Sequence, residues 1–94
     1  MVLETPIIIV NFKFYREASG KDALKLAKDA EAVAQETGIK IAVSPNTVDL
    51  RLVTKGVKIP IYAQHVDPVG LGAYTGHISP YYIGELGVEG TLLN

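Results

Sequence analysis

The chain has 94 residues, a formal net charge of -1 at pH 7 and no cysteine. A domain of this size buries only about 60–65% of the surface that its unfolded chain exposes, so the core must be small. The near-neutral charge argues against a nucleic-acid or anionic-membrane surface, and the absence of cysteine excludes disulfides and thiolate metal sites while fitting a cytoplasmic protein.

The first predicted element is a strand over Pro6–Lys13, an apolar run that ends in an amide, an aromatic ring and an ammonium. The start of the chain carries Glu4 and no basic cluster, so we predict neither a signal peptide nor a membrane span there. Alternation along a strand predicts two faces, one with Ile7, Ile9, Asn11 and Lys13 and the other with Ile8, Val10 and Phe12. Both polar groups are therefore expected on one face at the carboxyl end, where α/β folds place chemistry.

An amphipathic helix of about four to five turns is predicted next. It begins in Ser19–Asp22 and ends at Gly38, a residue type that commonly stops helices. Its apolar residues recur at helical spacing: Ala23, Leu26, Ala27, Ala30, Val33 and Ala34.

The remaining predicted elements continue the alternation. They are a strand over Ile39–Val43, a helix over Val48–Lys55 capped by Ser44–Thr47, a strand over Pro60–Gln64, a loop over His65–Ile78, a helix that begins at Ser79–Pro80 and ends at Gly87, and a strand over Val88–Asn94. Strands joined by helical crossovers lie parallel, so the predicted fold class is α/β with the order β-α-β-α-β-α-β. Four such strands do not close a barrel, and we expect residues 1–94 to form a single partial domain.

Asn11 and Lys13 are the first candidates for chemistry. An amide donor beside a fixed ammonium suits a phosphorylated or enolate-forming substrate, because the cation stabilises developing negative charge. The alternative is a solvated strand end, since polar side chains are common where a strand reaches water. Spacing alone leaves both interpretations open.

The segment GLGAYTG, Gly70–Gly76, lies between a predicted strand and a predicted helix and invites comparison with dinucleotide-binding loops. Its glycines are spaced GxGxxxG rather than GxGxxG, and the helix begins only at Ser79, which argues against nucleotide binding. Long loops in compact domains commonly serve function or contacts. With Tyr74 and Thr75 at its middle, an interaction loop is the better prediction.

His65 and His77 are predicted to be structural or surface residues. They are too far apart for local metal-ligand spacing, and the pattern shows no acidic residue positioned beside either. Glu85 and Glu89 flank Gly87 and are predicted to be solvated charges rather than a catalytic pair. No P-loop, nucleophile elbow or paired acid–base motif is present.

Three segments in order, PIIIVNFK, AQHVDPVGLGAYTGHIS and GVEGTLLN, resemble the first half of triosephosphate isomerase, closest to its short archaeal form. The resemblance covers essentially the whole chain. It implies the first half of a (β/α)₈ barrel that interconverts dihydroxyacetone phosphate and glyceraldehyde 3-phosphate through an enediolate, without metal or cofactor. This chemistry is the established one of the family, a cytoplasmic enzyme of glycolysis and gluconeogenesis, and it follows from the resemblance alone.

The resemblance also implies roles for three residues near strand ends. Lys13 matches the family's cation that stabilises the substrate's charge, and Asn11 matches the amide that contacts substrate. Both are expected to be catalytic and substrate-binding. Gln64 matches a residue near the base of the third loop, where support rather than chemistry is expected.

The third loop is implied to be an interface. Thr75, with Tyr74 and Gly76, matches the tip that reaches into the neighbouring subunit's active site in the family. The expected partners are therefore a small phosphorylated triose, and either a second copy that meets the His65–Ile78 loop or a complementary C-terminal half.

Other parts of the family's pattern have no counterpart in the sequence. In full-length members the fourth strand runs into a His-Ser-Glu segment whose histidine is the electrophile, and this sequence stops at Asn94, where that histidine is expected. The glutamate base, the lid loop and the late phosphate loops are also missing. Because acid–base groups contribute roughly 10²–10⁴-fold in rate, the isolated chain is expected to be inactive. Three interpretations stay open: a portion of an active isomerase, a half-barrel used as a folding or assembly fragment, and a non-catalytic phosphate-binding βα module.

Overall fold

The computed structural model describes residues 6–93. Glu4 and the predicted strand end at Asn94 lie outside the described residues. The elements alternate between strand and helix as predicted. They are β1 (Ile8–Asn11), α1 (Lys21–Thr37), β2 (Ile41–Ser44), α2 (Leu50–Gly56), β3 (Tyr62–Ala63), α3 (Pro80–Glu85) and β4 (Gly90–Thr91), with 3₁₀ turns at Arg16–Ala18 and Thr47–Asp49.

The strands follow one another in chain order and all pair in parallel. β1 pairs with β2 and β3 pairs with β4. A single parallel bridge between Val43 and Ile61 joins the two pairs, with the Val43 N–H 3.1 Å from the Pro60 carbonyl oxygen. The predicted α/β class with parallel strands is confirmed, and four neighbouring strands in this order match the first half of a (β/α)₈ barrel.

The strand boundaries differ from the prediction. The first strand ends at Asn11 rather than Lys13, the second runs to Ser44 rather than Val43, and the third and fourth have two residues each. The second helix begins at Leu50, after a 3₁₀ turn, rather than at Val48. An apolar run indicates which residues are buried. A strand, however, extends only as far as the neighbouring strand supplies hydrogen-bond partners, and the sequence does not reveal that length.

The boundaries of α1 agree with the prediction because local chemistry sets them. Gly38 has a left-handed φ of 74°, and its N–H donates to the Ala34 carbonyl oxygen at 2.9 Å. A glycine adopts this conformation without the steric penalty that a Cβ atom brings, and the turn satisfies a carbonyl at the helix end.

The face that α1 packs on the sheet is narrower than predicted. Ala23 and Ala27 are fully buried, and Ala30 packs against the core. Leu26 and Val33, predicted on the same face, are 38% and 45% exposed. At 100° per residue they lie about 60–80° around the helix from Ala23, at the margin of the apolar stripe. Small alanines therefore form the contact and allow a close approach of helix to sheet.

The core lies between the sheet and the helices. Its largest members are Phe12, Val43, Leu50, Val53 and Ile61. Phe12 is 2% exposed, as the predicted alternation along the first strand requires. Ile8, predicted on the same face, is 52% exposed, so the helix layer covers β1 only from Val10 onward. Among the described residues no helix combines the length and the apolar character needed to cross a bilayer.

Candidate active site

The candidate site lies at the carboxyl ends of three adjacent parallel strands. Asn11 is the last residue of β1, Ser44 is the last residue of β2, and Gln64 follows β3 directly. The register pairs Asn11 with Ser44, which places the two strand ends side by side. Parallel strands present their carboxyl ends at one edge, so these three positions converge.

Lys13 sits in a tight turn that the predicted strand alternation did not include. Its φ of 51° is the only positive value at a non-glycine residue among residues 6–93. The Lys13 N–H donates to Asn11 Oδ1 at 2.9 Å, an Asx-type turn that supports this conformation. A left-handed backbone costs a residue with a Cβ atom roughly 1–2 kcal/mol. Strain of this kind concentrates at functional sites, where surrounding contacts hold it.

Gln64 connects the three strand ends. Its Nε2 donates to the Lys13 carbonyl oxygen at 2.9 Å and to the Ser44 carbonyl oxygen at 3.0 Å, and lies 3.4 Å from Asn11 Oδ1. One side-chain amide thus touches the turn that carries Lys13, the end of β2 and the amide of Asn11. Through these three contacts Gln64 can give the structural support that the resemblance leads us to expect of it.

The site presents a positive charge to solvent. Asn11 and Lys13 are both exposed, and within residues 6–93 the Lys13 ammonium makes no hydrogen bond or ion pair. Asn11 Oδ1 is occupied by the Lys13 N–H, which leaves the Asn11 Nδ2 group as a donor toward solvent. The arrangement can bind an anionic group and stabilise negative charge that develops on a neighbouring oxygen. No group of three or more metal-ligating side chains occurs among the described residues.

A buried network holds the segment that follows Lys13. Asn46 is fully buried, and its Nδ2 donates to Asp49 Oδ2 at 2.8 Å and to Ser19 Oγ at 3.3 Å. The same Asp49 oxygen accepts the Gly20 N–H at 2.7 Å, at the start of α1. The loop after β1 is therefore tied to the loop after β2. The sequence pattern predicts a helix cap at Asn46 and gives no sign of these contacts, which join residues far apart in the chain.

The loop over His65–Ile78 is closed at its base by Asp67. The Asp67 N–H donates to the Ile78 carbonyl oxygen at 2.8 Å, and Asp67 Oδ2 accepts the Ile78 N–H at 2.8 Å. His65 Nε2 lies 2.8 Å from Asp67 Oδ1. The prediction that no acidic residue lies beside either histidine is wrong for His65, because its partner Asp67 is only two positions away in sequence. The Ile78 N–H, and after it His65, lower the pKa of Asp67 below its ordinary value.

The tip of this loop, formed by Tyr74, Thr75 and Gly76, is exposed. Its hydrogen bonds stay within the loop: His77 donates its N–H to the Tyr74 carbonyl oxygen at 3.0 Å, and His77 Nδ1 lies 3.2 Å from the Thr75 carbonyl oxygen. The Tyr74 and His77 rings meet edge to face with centroids 6.4 Å apart. The loop thus has its own internal order and an exposed aromatic residue at its end.

The glycines of this loop do not open a helix. Gly76 has a positive φ of 83°, and α3 begins only at Pro80 and has six residues. A dinucleotide loop places its glycines at the turn from a strand into a long helix, where backbone N–H groups meet the phosphates. The geometry here does not provide that turn.

Comparison with known proteins gives one consistent result. The family model described as triosephosphate isomerase matches residues 6–94. A triosephosphate isomerase from Pyrobaculum calidifontis is 52% identical over 98% of this chain and 40% of its own length. Those from Methanobacterium bryantii and Methanocaldococcus jannaschii are 48% and 47% identical, over 99% and 94% of this chain and 41% and 40% of their own lengths. The chain therefore spans about 40% of the length of the curated relatives it matches.

Proposed function

Because the chain belongs to the triosephosphate isomerase family, we propose that it works in the interconversion of dihydroxyacetone phosphate and glyceraldehyde 3-phosphate, with Asn11 and Lys13 as its contacts to substrate. The observation that carries this proposal is the turn at Lys13. A lysine is held in a strained conformation at the end of a barrel strand, where its ammonium has no partner within residues 6–93. The strained turn and the ammonium, unpaired in the described part of the chain, do not stabilise the fold. They do favour the binding of an anionic substrate.

The two residues contribute different interactions. The Lys13 ammonium lowers the energy of the negative charge that the substrate carries in its phosphate and develops on its oxygen when a proton leaves carbon. The Asn11 Nδ2 group adds a directed hydrogen-bond donor beside it, since its Oδ1 is held by the Lys13 N–H. Neither residue can remove the carbon-bound proton, because a protonated amine and a neutral amide are not bases. That step requires a general base, and the family's glutamate base matches no position in these 94 residues.

The proposal therefore divides the activity. The 94 residues supply the cation and the amide, and by themselves they are expected to give no measurable isomerisation. A completed enzyme would be these residues joined to the part of the Pyrobaculum calidifontis relative that lies beyond its matched segment. We expect the completed enzyme to isomerise the triose phosphates.

The test compares three proteins in the same coupled assay: the 94-residue chain, the completed enzyme, and the completed enzyme with Lys13→Ala. We expect no activity in the first, full activity in the second, and a loss of about 10²–10³-fold in the third. The matched control is Lys28→Ala, which removes an exposed lysine from α1 and should leave turnover unchanged. A folded but inactive completed enzyme, or equal activity of the Lys13 and Lys28 variants, would overturn the proposal.

A second copy is the proposed partner of the loop over His65–Ile78. The support is the loop's own order: Asp67 closes its base, and the loop exposes 65% of Leu71 and, at its tip, 47% of Tyr74. In the completed enzyme, Tyr74→Ala is expected to weaken self-association, measured by sedimentation velocity. Tyr81→Ala is the matched control, because Tyr81 is 65% exposed on α3 and lies outside the loop. A solution mass unaffected by Tyr74→Ala would contradict the proposal.

A role as an assembly fragment without catalysis is the second candidate function. The observation that favours it is the exposure of apolar residues on both faces of β1, where Ile8 and Ile9 are 52% and 40% exposed. Unpaired strand edges and exposed apolar faces promote association. This candidate is supported if the 94-residue chain binds the unmatched part of the Pyrobaculum calidifontis relative, added as a separate chain, and the complex is inactive. It is contradicted if that complex isomerises the triose phosphates.

A further inference from the structure

The side-chain amide of Gln64 contacts three segments: the end of β1, the turn at Lys13 and the end of β2. Its Nε2 reaches the Lys13 carbonyl oxygen, the Ser44 carbonyl oxygen and Asn11 Oδ1. The Ser44 carbonyl already accepts the Phe12 N–H at 3.0 Å, and Asn11 Oδ1 already accepts the Lys13 N–H. The Lys13 carbonyl has no other donor among the described residues, so Gln64 alone satisfies it.

We propose that Gln64 is a positioning residue for Lys13, whose side-chain amide holds the left-handed turn and so fixes where the ammonium and the Asn11 amide stand. This inference rests on the proposed function, because it assigns to Gln64 the geometry of the two residues proposed to contact substrate.

The backbone at Lys13 is strained. A left-handed conformation is disfavoured at any residue with a Cβ atom, so other contacts must select it. Two contacts act on this turn: the Asn11 Oδ1 bond to the Lys13 N–H, and the Gln64 bond to the Lys13 carbonyl. They hold both peptide groups of one residue, which fixes its φ and ψ together. Without Gln64 the carbonyl side of the turn has no protein partner in the described part of the chain.

Gln64 also influences Asn11. Two N–H donors, from the Lys13 backbone and from Gln64 Nε2, face the same Asn11 oxygen. An amide whose oxygen meets two donors cannot exchange the positions of its oxygen and nitrogen without placing N–H groups against N–H groups. The Nδ2 group of Asn11 is therefore kept on the solvent side, where a substrate would meet it.

A purely structural role for Gln64 makes a different prediction. Gln64 is half-buried and follows β3. If it only tied the strands together, its replacement would lower the stability of the fold and leave the conformation of Lys13 unchanged. A positioning role predicts a specific energetic coupling between Gln64 and Lys13. Residues that act as a unit show strongly non-additive effects, whereas independent residues show additive effects.

The test uses Gln64→Met, which keeps the length of the side chain and removes its donors. Gln35→Met is the matched control, because Gln35 is exposed on α1 and lines the cavity at the amino ends of the strands. In the completed enzyme we expect Gln64→Met to lower kcat/KM by about 10–100-fold, mostly through kcat, since displacing a catalytic group by about 1 Å has effects of this size. Gln35→Met should leave kcat/KM unchanged. Lys13→Ala should cost much less in the Gln64→Met background than in the native one.

A second readout does not depend on activity. The Cα and Cβ chemical shifts of Lys13 report its backbone conformation in the native protein and in each variant. We expect the left-handed signature to disappear in Gln64→Met and to persist in Gln35→Met. If Gln64→Met does not fold, Gln64→Glu replaces it, because an ionised carboxylate has the same shape and no N–H donor.

The outcomes separate the two proposals. Persistence of the left-handed signature in the donor-free variant, or additive losses in the double variant, overturns the positioning role of Gln64. An inactive completed enzyme whose Lys13 conformation still depends on Gln64 overturns the proposed function and leaves the positioning of the turn intact.

Discussion

The Asp67 backbone and side chain both bond to the backbone of Ile78. The Asp67 N–H donates to the Ile78 carbonyl oxygen and the Asp67 carboxylate accepts the Ile78 N–H, each at 2.8 Å. Eleven positions separate the two residues, and the exposed loop between them contains the tip at Tyr74, Thr75 and Gly76. Asp67 therefore closes the base of the proposed interface loop through one backbone bond and one carboxylate bond.

This carboxylate makes the base of the loop sensitive to acid. The pKa of Asp67 is lowered from its ordinary value of 3.8, first by the Ile78 N–H and then by His65. A depressed pKa means that the contribution is complete above the unfolded-state pKa and is lost as pH falls through the lower, folded-state pKa. We expect the Ile78 amide resonance to titrate with a midpoint below 3.8. In Asp67→Asn the amide oxygen still accepts the N–H, so the step should vanish, and a midpoint at or above 3.8 in the native chain would contradict the assignment.

Lys13→Gly is expected to stabilise the fold while it removes the proposed cation. Glycine adopts a positive φ without steric cost, so relief of the strain at Lys13 should raise the free energy of unfolding by up to about 1 kcal/mol. The measurement is urea unfolding of the native and variant chains. Lys28→Gly makes the same chemical change inside α1, where glycine should lower the free energy of unfolding by about 1 kcal/mol. Equal losses in both variants would show that the turn at Lys13 is not strained.

The buried amide of Asn46 is expected to be a major source of local stability. Asn46→Ala removes the donor to Asp49 and leaves the network around Gly20 incomplete, which should cost about 1–3 kcal/mol in unfolding free energy. Thr54→Ala is the control, because Thr54 Oγ1 donates to the Arg51 carbonyl oxygen one turn back in its own helix at 2.9 Å. Its effect should stay within about 0.5 kcal/mol. Chemical denaturation measures both, and similar values would rule out a special role for Asn46.

The exposed apolar residues of β1 are expected to drive self-association of the 94-residue chain. Ile9 is 40% exposed on this edge strand, and an apolar residue there favours pairing with another chain. Ile9→Lys should shift the chain toward monomer in sedimentation velocity experiments. Val48→Lys changes a residue that is 79% exposed but lies beside α2, and it should leave the distribution unchanged. A native chain that sediments as a monomer at all concentrations would contradict this prediction.

Short-range chemistry made the end of α1 and the start of α3 predictable. Gly38 ends α1 because a left-handed turn is easiest for glycine, and Pro80 begins α3 because proline needs no N–H partner in a first turn. The strand lengths and the exposure of Leu26 and Val33 depended instead on what lies across from each residue. Periodicity indicates which residues face inward and carries no information on how wide the covering surface is.

The features of the candidate site likewise fall into those that the sequence determines and those that the tertiary structure decides. The sequence by itself determined that an amide and an ammonium follow the first apolar run, and the resemblance supplied their proposed role. Only the tertiary structure decided that Lys13 leaves the strand in a left-handed turn, that Gln64 holds its carbonyl from 51 positions away, and that Asp67 closes the later loop onto Ile78. The physical reason is that hydrogen bonds between distant segments depend on where the folded chain brings their donors and acceptors, and local propensity does not encode that distance.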